Sequence, residues 1–191
     1  MEREGAMLMR VISGSAKGHK LFSPVGKQTR PTSDFVKENI FNIIGDAIVG
    51  TNFLDVFAGS GAVGIEALSR RARTVTFVDS SQKAVELIKR NLDKTGLKQN
   101  AVVIKAEAVA AIKKLSGQTF DIIFMDPPYF EDFVDKTLNA IVEADILADD
   151  GFIVLEAAKS EDVNGVDGLK VFKEKEYSGT KLIFIEKAES V

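Results

Sequence analysis

The stretch Leu54-Asp55-Val56-Phe57-Ala58-Gly59-Ser60-Gly61-Ala62-Val63-Gly64 decides the fold. Its first half is a short apolar run, its second half opens a helix-forming segment, and Gly59, Gly61 and Gly64 spell G-x-G-x-x-G between them. Glycine suits this place because a strand must turn sharply into a helix, and because a missing side chain lets backbone come close to a ligand. Asp79 ends the next predicted strand, 20 positions after Gly59, where an acid can accept both hydroxyls of a ribose. A tight turn of purely structural purpose is the competing reading. Strand, turn, helix and acid in this order favour a nucleoside-cofactor site made by Phe57, Ala58, Gly59, Ser60, Gly61 and Asp79.

Outward from this turn the chain alternates. Short runs rich in Val, Ile and Phe predict strands over Phe53 to Phe57, Thr74 to Val78, Ala101 to Lys105, Asp121 to Met125 and Gly151 to Leu155. Helix-periodic stretches lie between them, near Ala62 to Arg70, Gln82 to Lys94, Ala108 to Leu115 and Phe133 to Ala144. Strands apolar on both faces with helical crossovers mean a mostly parallel, doubly wound sheet covered on both sides, so the fold class is α/β. After Leu155 the pattern changes to two strand-like runs, Val171 to Glu176 and Leu182 to Glu186, which predict an antiparallel hairpin at the sheet edge. Upstream, Arg10 to Ser13 and Lys20 to Phe22 suggest a small hairpin. A helix then begins, capped by Thr32 or Ser33 and carrying Val36, Ile40, Ile43, Ile44 and Ala47 at helical spacing. The expected organisation is a basic N-terminal arm over residues 1–32 and a catalytic domain over residues 33–191.

Composition narrows the chemistry. The 191 residues hold no cysteine and one histidine, which excludes disulfides and cysteine nucleophiles and makes a metal centre an unlooked-for feature. No apolar run approaches the roughly 18 residues needed to cross a bilayer, and Glu2 and Glu4 stand where a signal peptide would be positive, so a cytoplasmic, monomeric protein with no membrane partner is expected. Net charge is −3, yet the charge is segregated. From Met9 to Lys37 there are six bases and one acid, whereas residues 131–191 hold 15 acids and 7 bases. Local potential contacts phosphate, so a basic arm on an acidic body is compatible with RNA; a solvated loop is the plainer alternative. Arg10, Lys17, His19, Lys20 and Arg30 are the candidate contacts.

Asp55 helps choose the cofactor. A dinucleotide would bring a pyrophosphate to this turn, beside which a carboxylate is repulsive, whereas S-adenosylmethionine brings an ammonium and a sulfonium that an acid favours. Glu107, after the third strand, can accept from an adenine amino group, or it is simply a helix-start charge. The second motif, Asp126-Pro127-Pro128-Tyr129, directly follows Ile122-Ile123-Phe124-Met125. In a doubly wound sheet it faces the same crevice as the glycine turn. Two prolines remove two amide donors and leave carbonyls, which suits a site that accepts hydrogen bonds. Asp126 and the Pro127 carbonyl could hold both hydrogens of an amino group while Tyr129 stacks on the ring that carries it. A rigid strand-to-helix turn is the alternative.

Residues 9 to 186 resemble the bacterial 16S ribosomal RNA (guanine-N2)-methyltransferases of the RsmD type. The likeness rests on Arg30-Pro31-Thr32 with Asp34, Glu38 and Phe41 following, on Asp55 to Ala62 continuing into Glu66-Ala67-Leu68-Ser69-Arg70, and on Asp126-Pro127-Pro128-Tyr129. The resemblance implies a seven-stranded, Rossmann-like methyltransferase sheet, S-adenosylmethionine as donor, and methylation of one guanine amine in small-subunit rRNA. Tyr177-Ser178-Gly179-Thr180 departs from a more usual Tyr-Gly-Asp-Thr, and Ser81 stands where Asp or Asn is common. Rival readings are an amino-methyltransferase of DNA or another RNA, a protein glutamine methyltransferase (more usually Asn in place of Asp126), a nicotinamide oxidoreductase, and a non-catalytic RNA-binding assembly factor.

Overall fold

The computed structural model describes residues 9–23, 34–128, 132–161, 163, 166–177 and 179–188. Thr32 and Ser33, expected to cap the first helix, lie outside them, as do Arg30 and Tyr129. The helices are α1 (Asp34–Ile44), α2 (Ala62–Ser69), α3 (Gln82–Thr95), α4 (Ala108–Lys114) and α5 (Phe133–Ala144), with short 3-10 turns at Gly45–Ile48 and Lys98–Asn100. The strands are β1 (Asn52–Val56), β2 (Thr74–Asp79), β3 (Ala101–Lys105), β4 (Phe120–Met125), β5 (Leu147–Ala158), β6 (Leu169–Glu176) and β7 (Thr180–Lys187). Among the described residues no helix is long and apolar enough to cross a membrane.

The seven strands form one sheet in the order β3-β2-β1-β4-β5-β7-β6. The first five pair in parallel, and β7 inserts antiparallel between β5 and the edge strand β6. Strand alternation divides the core. Phe53, Phe77, Phe124 and Val154 point to the side covered by α1, α2 and α3, while Leu54, Val56, Val78, Met125 and Leu155 point to the side covered by α4 and α5. β5 runs well past the expected Gly151 to Leu155, because its antiparallel ladder with β7 continues as far as Ala158 and Thr180. β6 exposes Val171 and Phe172 but alternates Lys and Glu from Lys173 to Glu176, charge that helps keep an edge strand from recruiting another.

The expected N-terminal hairpin is reduced to one antiparallel bridge, Arg10 with Lys20. Three backbone bonds close it, from the amides of Val11, Gly18 and Leu21 to the carbonyls of His19, Val11 and Met9. Longer paired strands do not form because α2 takes the amides of Ile12, Ser13, Ser15 and Ala16. Glu66 accepts the N–H groups of Ile12 and Ser13 at 2.8 and 2.9 Å, Ser69 accepts those of Ser15 and Ala16, and its hydroxyl donates to the Ser13 carbonyl. Meanwhile Met9, Val11, Ala16 and Leu21 are buried with α1 and α2 in the core. Glu66 is fully buried and lies 3.5 Å from the ammonium of Lys37, also fully buried, while Arg70 caps it at 2.8 Å. Lys37 donates further to the Arg10 carbonyl. Burial pushes the Lys37 pKa down, against the pull of Glu66 and Asp34. A buried pair of this kind is costly to break from one side, about 3–5 kcal/mol, so the N-terminal segment is fastened to the helices by ionic contacts where the sheet uses ladders.

Candidate active site

The chain proceeds outward from β1 through β2 to β3, then returns to place β4 on the other side of β1. The carboxyl ends of β1 and β4 therefore flank the switch point, where a doubly wound sheet opens a crevice. Register makes the placement specific. Ile104, Val78, Val56, Met125 and Leu155 form one row across five strands, and Lys105, Asp79, Phe57, Asp126 and Glu156 are the residues that follow it along the chain. Two motifs separated by almost 70 residues thus leave the same edge of the sheet from adjacent strands. Asp79 and Asp126 stand at the carboxyl ends of the strands on either side of β1, whereas the Phe57 ring, on a left-handed backbone, packs on Phe133 of α5.

The turn after β1 is tightly wound. Phe57, Gly59 and Gly61 have φ of 62°, 55° and 75°. In Phe57 this left-handed backbone costs on the order of 1 kcal/mol or more, which surrounding contacts offset. Its ring packs edge-on to Phe133 at 5.9 Å, and its neighbours are fixed: the amides of Ala58 and Gly61 donate to Val78 and Ala58, and Gly59 donates to Asp79 Oδ2 at 2.8 Å. A side chain at Gly64 would strike the Phe77 ring at 2.3 Å, so that glycine answers to packing. One at Gly59 would approach nothing nearer than the Phe57 carbonyl at 4.0 Å. Gly59 is there for its backbone and the open space above it.

Asp55 is placed otherwise than a ligand contact would be. It is 1% exposed and accepts the Gly64 amide at 2.9 Å, so it acts on the crevice through the start of α2. Burial, with the nearby Asp79 charge assisting against the Gly64 bond, raises its pKa to about 8. Asp79 is half-exposed, each oxygen accepting one amide, from Gly59 and from Ser81 at 2.8 Å. Ser81 in turn caps α3 by accepting the Ala84 amide, so the departure at this position supports the same turn. The Ala106 amide donates to the Asp79 carbonyl, bringing Glu107 beside it. Glu107 occupies the cap position of α4 with no capping bond, its side chain exposed.

Across the switch point Asp126 is half-buried, Pro127 buried and Pro128 exposed. The basic candidates divide. Arg10 is exposed and 3.8 Å from Asp34 at the head of α1, whereas Lys17 lies in the turn packed on Ser69 at the tail of α2, toward the far edge of the sheet. His19 and Lys20 are exposed on the returning segment, and His19 Nδ1 is 2.9 Å from the Ala16 carbonyl. A groove of about 530 Å³ at that far edge, lined by Gly14, Phe41, Asp46, Ser69, Arg70 and Arg71, is remote from both motifs.

Sequence reasoning missed Asn91. Fully buried on α3, it donates to the carbonyls of Ser60 and Phe22 at 2.9 and 3.0 Å and accepts the Phe22 amide at 2.8 Å. The available signal was a polar residue on the helix stripe that also carries Val85, Ile88 and Leu92. Glu156, 6% exposed and one residue past the Met125–Leu155 pair, was missed too; it meets the Thr180 hydroxyl at 3.5 Å.

The family model described as conserved hypothetical protein 95 matches residues 9–186. The Escherichia coli K12 protein named ribosomal RNA small subunit methyltransferase D is 36% identical over 164 residues, 85% of this chain and 79% of that one. The chain belongs to the RsmD family of methyltransferases. Within that family, Bacillus subtilis YlbH is 44% identical over 183 residues, covering 94% of this chain and 98% of its own. The solved Escherichia coli yhhF shares the architecture with a TM-score of 0.83 at 31% identity, over 96% of this chain and 99% of that one. The fold alone reaches further, to SMU.776 solved in complex with SAH, at 17% identity and a TM-score of 0.64 over 80% of this chain and 49% of the other.

Proposed function

We propose that this protein transfers a methyl group from S-adenosylmethionine to the exocyclic N2 amine of a guanine in small-subunit ribosomal RNA. The observation that carries the reading is that the glycine turn after β1, Asp79 at the end of β2 and the donor-poor Asp126-Pro127-Pro128 turn after β4 all leave one edge of the sheet at the switch point. The residues present fit a nucleoside donor. Gly59 leaves open space at the turn, and each Asp79 oxygen keeps a lone pair beyond its amide bond for a ribose hydroxyl. Glu107, exposed beside Asp79, would take the adenine amine, while Ala58, Ser60 and Gly61 shape the wall through their backbone.

S-adenosylmethionine supplies a methyl group already activated on its sulfonium. The chain's own task is to orient the amine and raise its nucleophilicity. A guanine amine is a weak nucleophile because its lone pair is delocalised into the ring. Asp126 and the Pro127 carbonyl would accept its two hydrogens, favouring a pyramidal nitrogen and stabilising the positive charge that develops there. Tyr129, which follows the turn in sequence, would stack on the base. The proton shed after transfer lies in the hydrogen bond to Asp126. A target base must leave its stack to reach such a crevice; the exposed Arg10 and Lys20, with His19 and Arg30, would hold phosphates of the same strand, and Lys17, at the far edge of the sheet, would meet only RNA that extends well beyond the target.

The test offers isotope-labelled S-adenosylmethionine with naked rRNA, small ribosomal subunits and a DNA control, followed by mass spectrometry of the nucleosides. N2-methylguanosine from small-subunit rRNA is the expected product. Label confined to DNA or protein would overturn the assignment.

A further inference from the structure

We propose that Phe22, Arg90 and Lys94 form an RNA phosphate-binding surface on α3, outside the crevice, that holds the substrate strand flanking the target nucleotide. The inference rests on the reading of RNA as substrate and adds a contact surface to it. Phe22 is 38% exposed, and its ring carries two cations, the Lys94 ammonium at 4.2 Å and the Arg90 guanidinium at 4.4 Å from its centroid. Two like charges, one helical turn apart on α3, share one ring because its π-electrons attract both, which offsets part of their repulsion and holds them near it. Among the described residues neither cation has a carboxylate within 4.0 Å. The acids nearest in sequence have other partners: Asp93 pairs with Lys98 at 3.0 Å, and Glu86 accepts from Gln82 at 2.9 Å. The positive charge is therefore concentrated, held in place and not neutralised by any described carboxylate.

A merely solvated lysine face would not need such fixing. Here the backbone of Phe22 is clamped at both its amide and its carbonyl by the buried Asn91, which spends its remaining donor on the Ser60 carbonyl of the glycine turn. The surface is thus held at a set position relative to the crevice. It is also continuous with the arm: Lys20, Leu21 and Phe22 alternate exposed, buried and exposed, so Lys20 and Phe22 share the outer side of this segment. Fixed cations around an aromatic ring are the means by which proteins hold single-stranded nucleic acid without reading its sequence, through phosphate contacts and stacking on guanidinium.

The experiment measures binding of a fluorescein-labelled single-stranded rRNA fragment by anisotropy over a salt series, for the full chain and for Arg90→Gln/Lys94→Gln, which keeps polar stems in place. Each lost contact should make the logarithmic salt slope shallower by about 0.7, so the pair should lower it by about 1.4 and weaken binding at low salt on the order of tenfold. S-adenosylmethionine affinity by calorimetry should not change. If the two cations only cap Phe22, thermal unfolding will shift while slope and affinity stay at their wild-type values, and the proposal fails. If the pair does not fold, the single variants Arg90→Gln and Lys94→Gln should each remove about half of the slope change; none in either variant also overturns it. Wild-type protein that binds RNA by this surface yet transfers no methyl to it would sink the proposed activity and leave the surface standing. Wild-type protein without salt-dependent RNA binding would sink both.

Discussion

The turn after β1 and the turn after β4 leave the same edge of the sheet, but they use their backbones in opposite ways. The first consumes its polar groups internally: the amides of Ala58, Gly59, Gly61 and Gly64 and the carbonyl of Ser60 all have protein partners. Residues strained into positive φ are held there by those bonds. The second turn begins with two prolines and so has no amides to satisfy at Pro127 and Pro128, only carbonyls. One turn is a rigid wall whose shape must be defended; the other is a shelf of acceptors. Substitutions should accordingly act on stability and affinity at the first, and on the rate of chemistry at the second.

The largest effect should come from the wall, at Asp55. Its raised pKa of about 8 is caused first by burial, so the folded protein retains a proton that the unfolded chain gives up near pH 4. Between those values the native state binds more protons, and stability falls as pH rises, levelling off above about pH 8. Below pH 4 both states are protonated and nothing is lost. Each tenfold difference in proton affinity is about 1.4 kcal/mol, so the decline amounts to several kcal/mol across the window. Asp55→Asn keeps an oxygen for the Gly64 amide and removes the titration. Denaturant unfolding at pH 5 and pH 8 should show the variant gaining on the wild type as pH rises. Parallel profiles would mean that Asp55 is ionised in the folded protein.

Asp55 also shows why the fold was easier to read from sequence than the roles. Strand runs such as Thr74 to Val78 and the glycine spacing report backbone conformation, which local residue types largely set, and the two-sided burial of the sheet follows from them. That the two motifs leave one edge of the sheet was legible as well, because the carboxyl ends of parallel strands share that edge. What Asp55 touches was not. An acid in the middle of an apolar strand reads equally as a cofactor contact or as a latch for Gly64, and only register and burial separate them. The N-terminal hairpin was legible only in outline for a related reason: Arg10 and Lys20 do pair, but the amides of Ile12 and Ser13 go to Glu66, more than 50 residues away. Asn91 likewise joins Phe22 to Ser60 across two long gaps in the chain, and no local pattern encodes that.

At the shelf, Asp126→Ala should slow methyl transfer on the order of a hundredfold, the scale of losing one preorganised polar contact in a transition state. Since the wall is untouched, S-adenosylmethionine affinity should stay near wild type. Single-turnover assays read the rate and calorimetry the affinity. A near-normal rate in the folded variant would make the proline turn a structural corner and nothing more.

The smallest effect falls at Asp79, where wall and ligand compete for one carboxylate. Its oxygens already accept the amides of Gly59 and Ser81, and the proposed ribose hydroxyls would add to those bonds without displacing them. Asp79→Ala therefore removes two kinds of contact, and they can be told apart. Losing the hydroxyl acceptors weakens donor binding directly, by roughly 1–2 kcal/mol, or about tenfold. Losing the amide acceptors loosens the turn whether or not a donor is present. Asp79→Asn separates the two, because its single side-chain oxygen can still accept one amide while the negative charge is gone. If the hydroxyl contacts matter, calorimetry should find both variants weaker for S-adenosylmethionine, with Asn intermediate, while hydrogen exchange at Gly59 quickens chiefly in the Ala variant. Equal dissociation constants in all three proteins, with exchange at Gly59 accelerated in the variants, would leave Asp79 a brace of the wall and remove it from the ligand's side of the crevice.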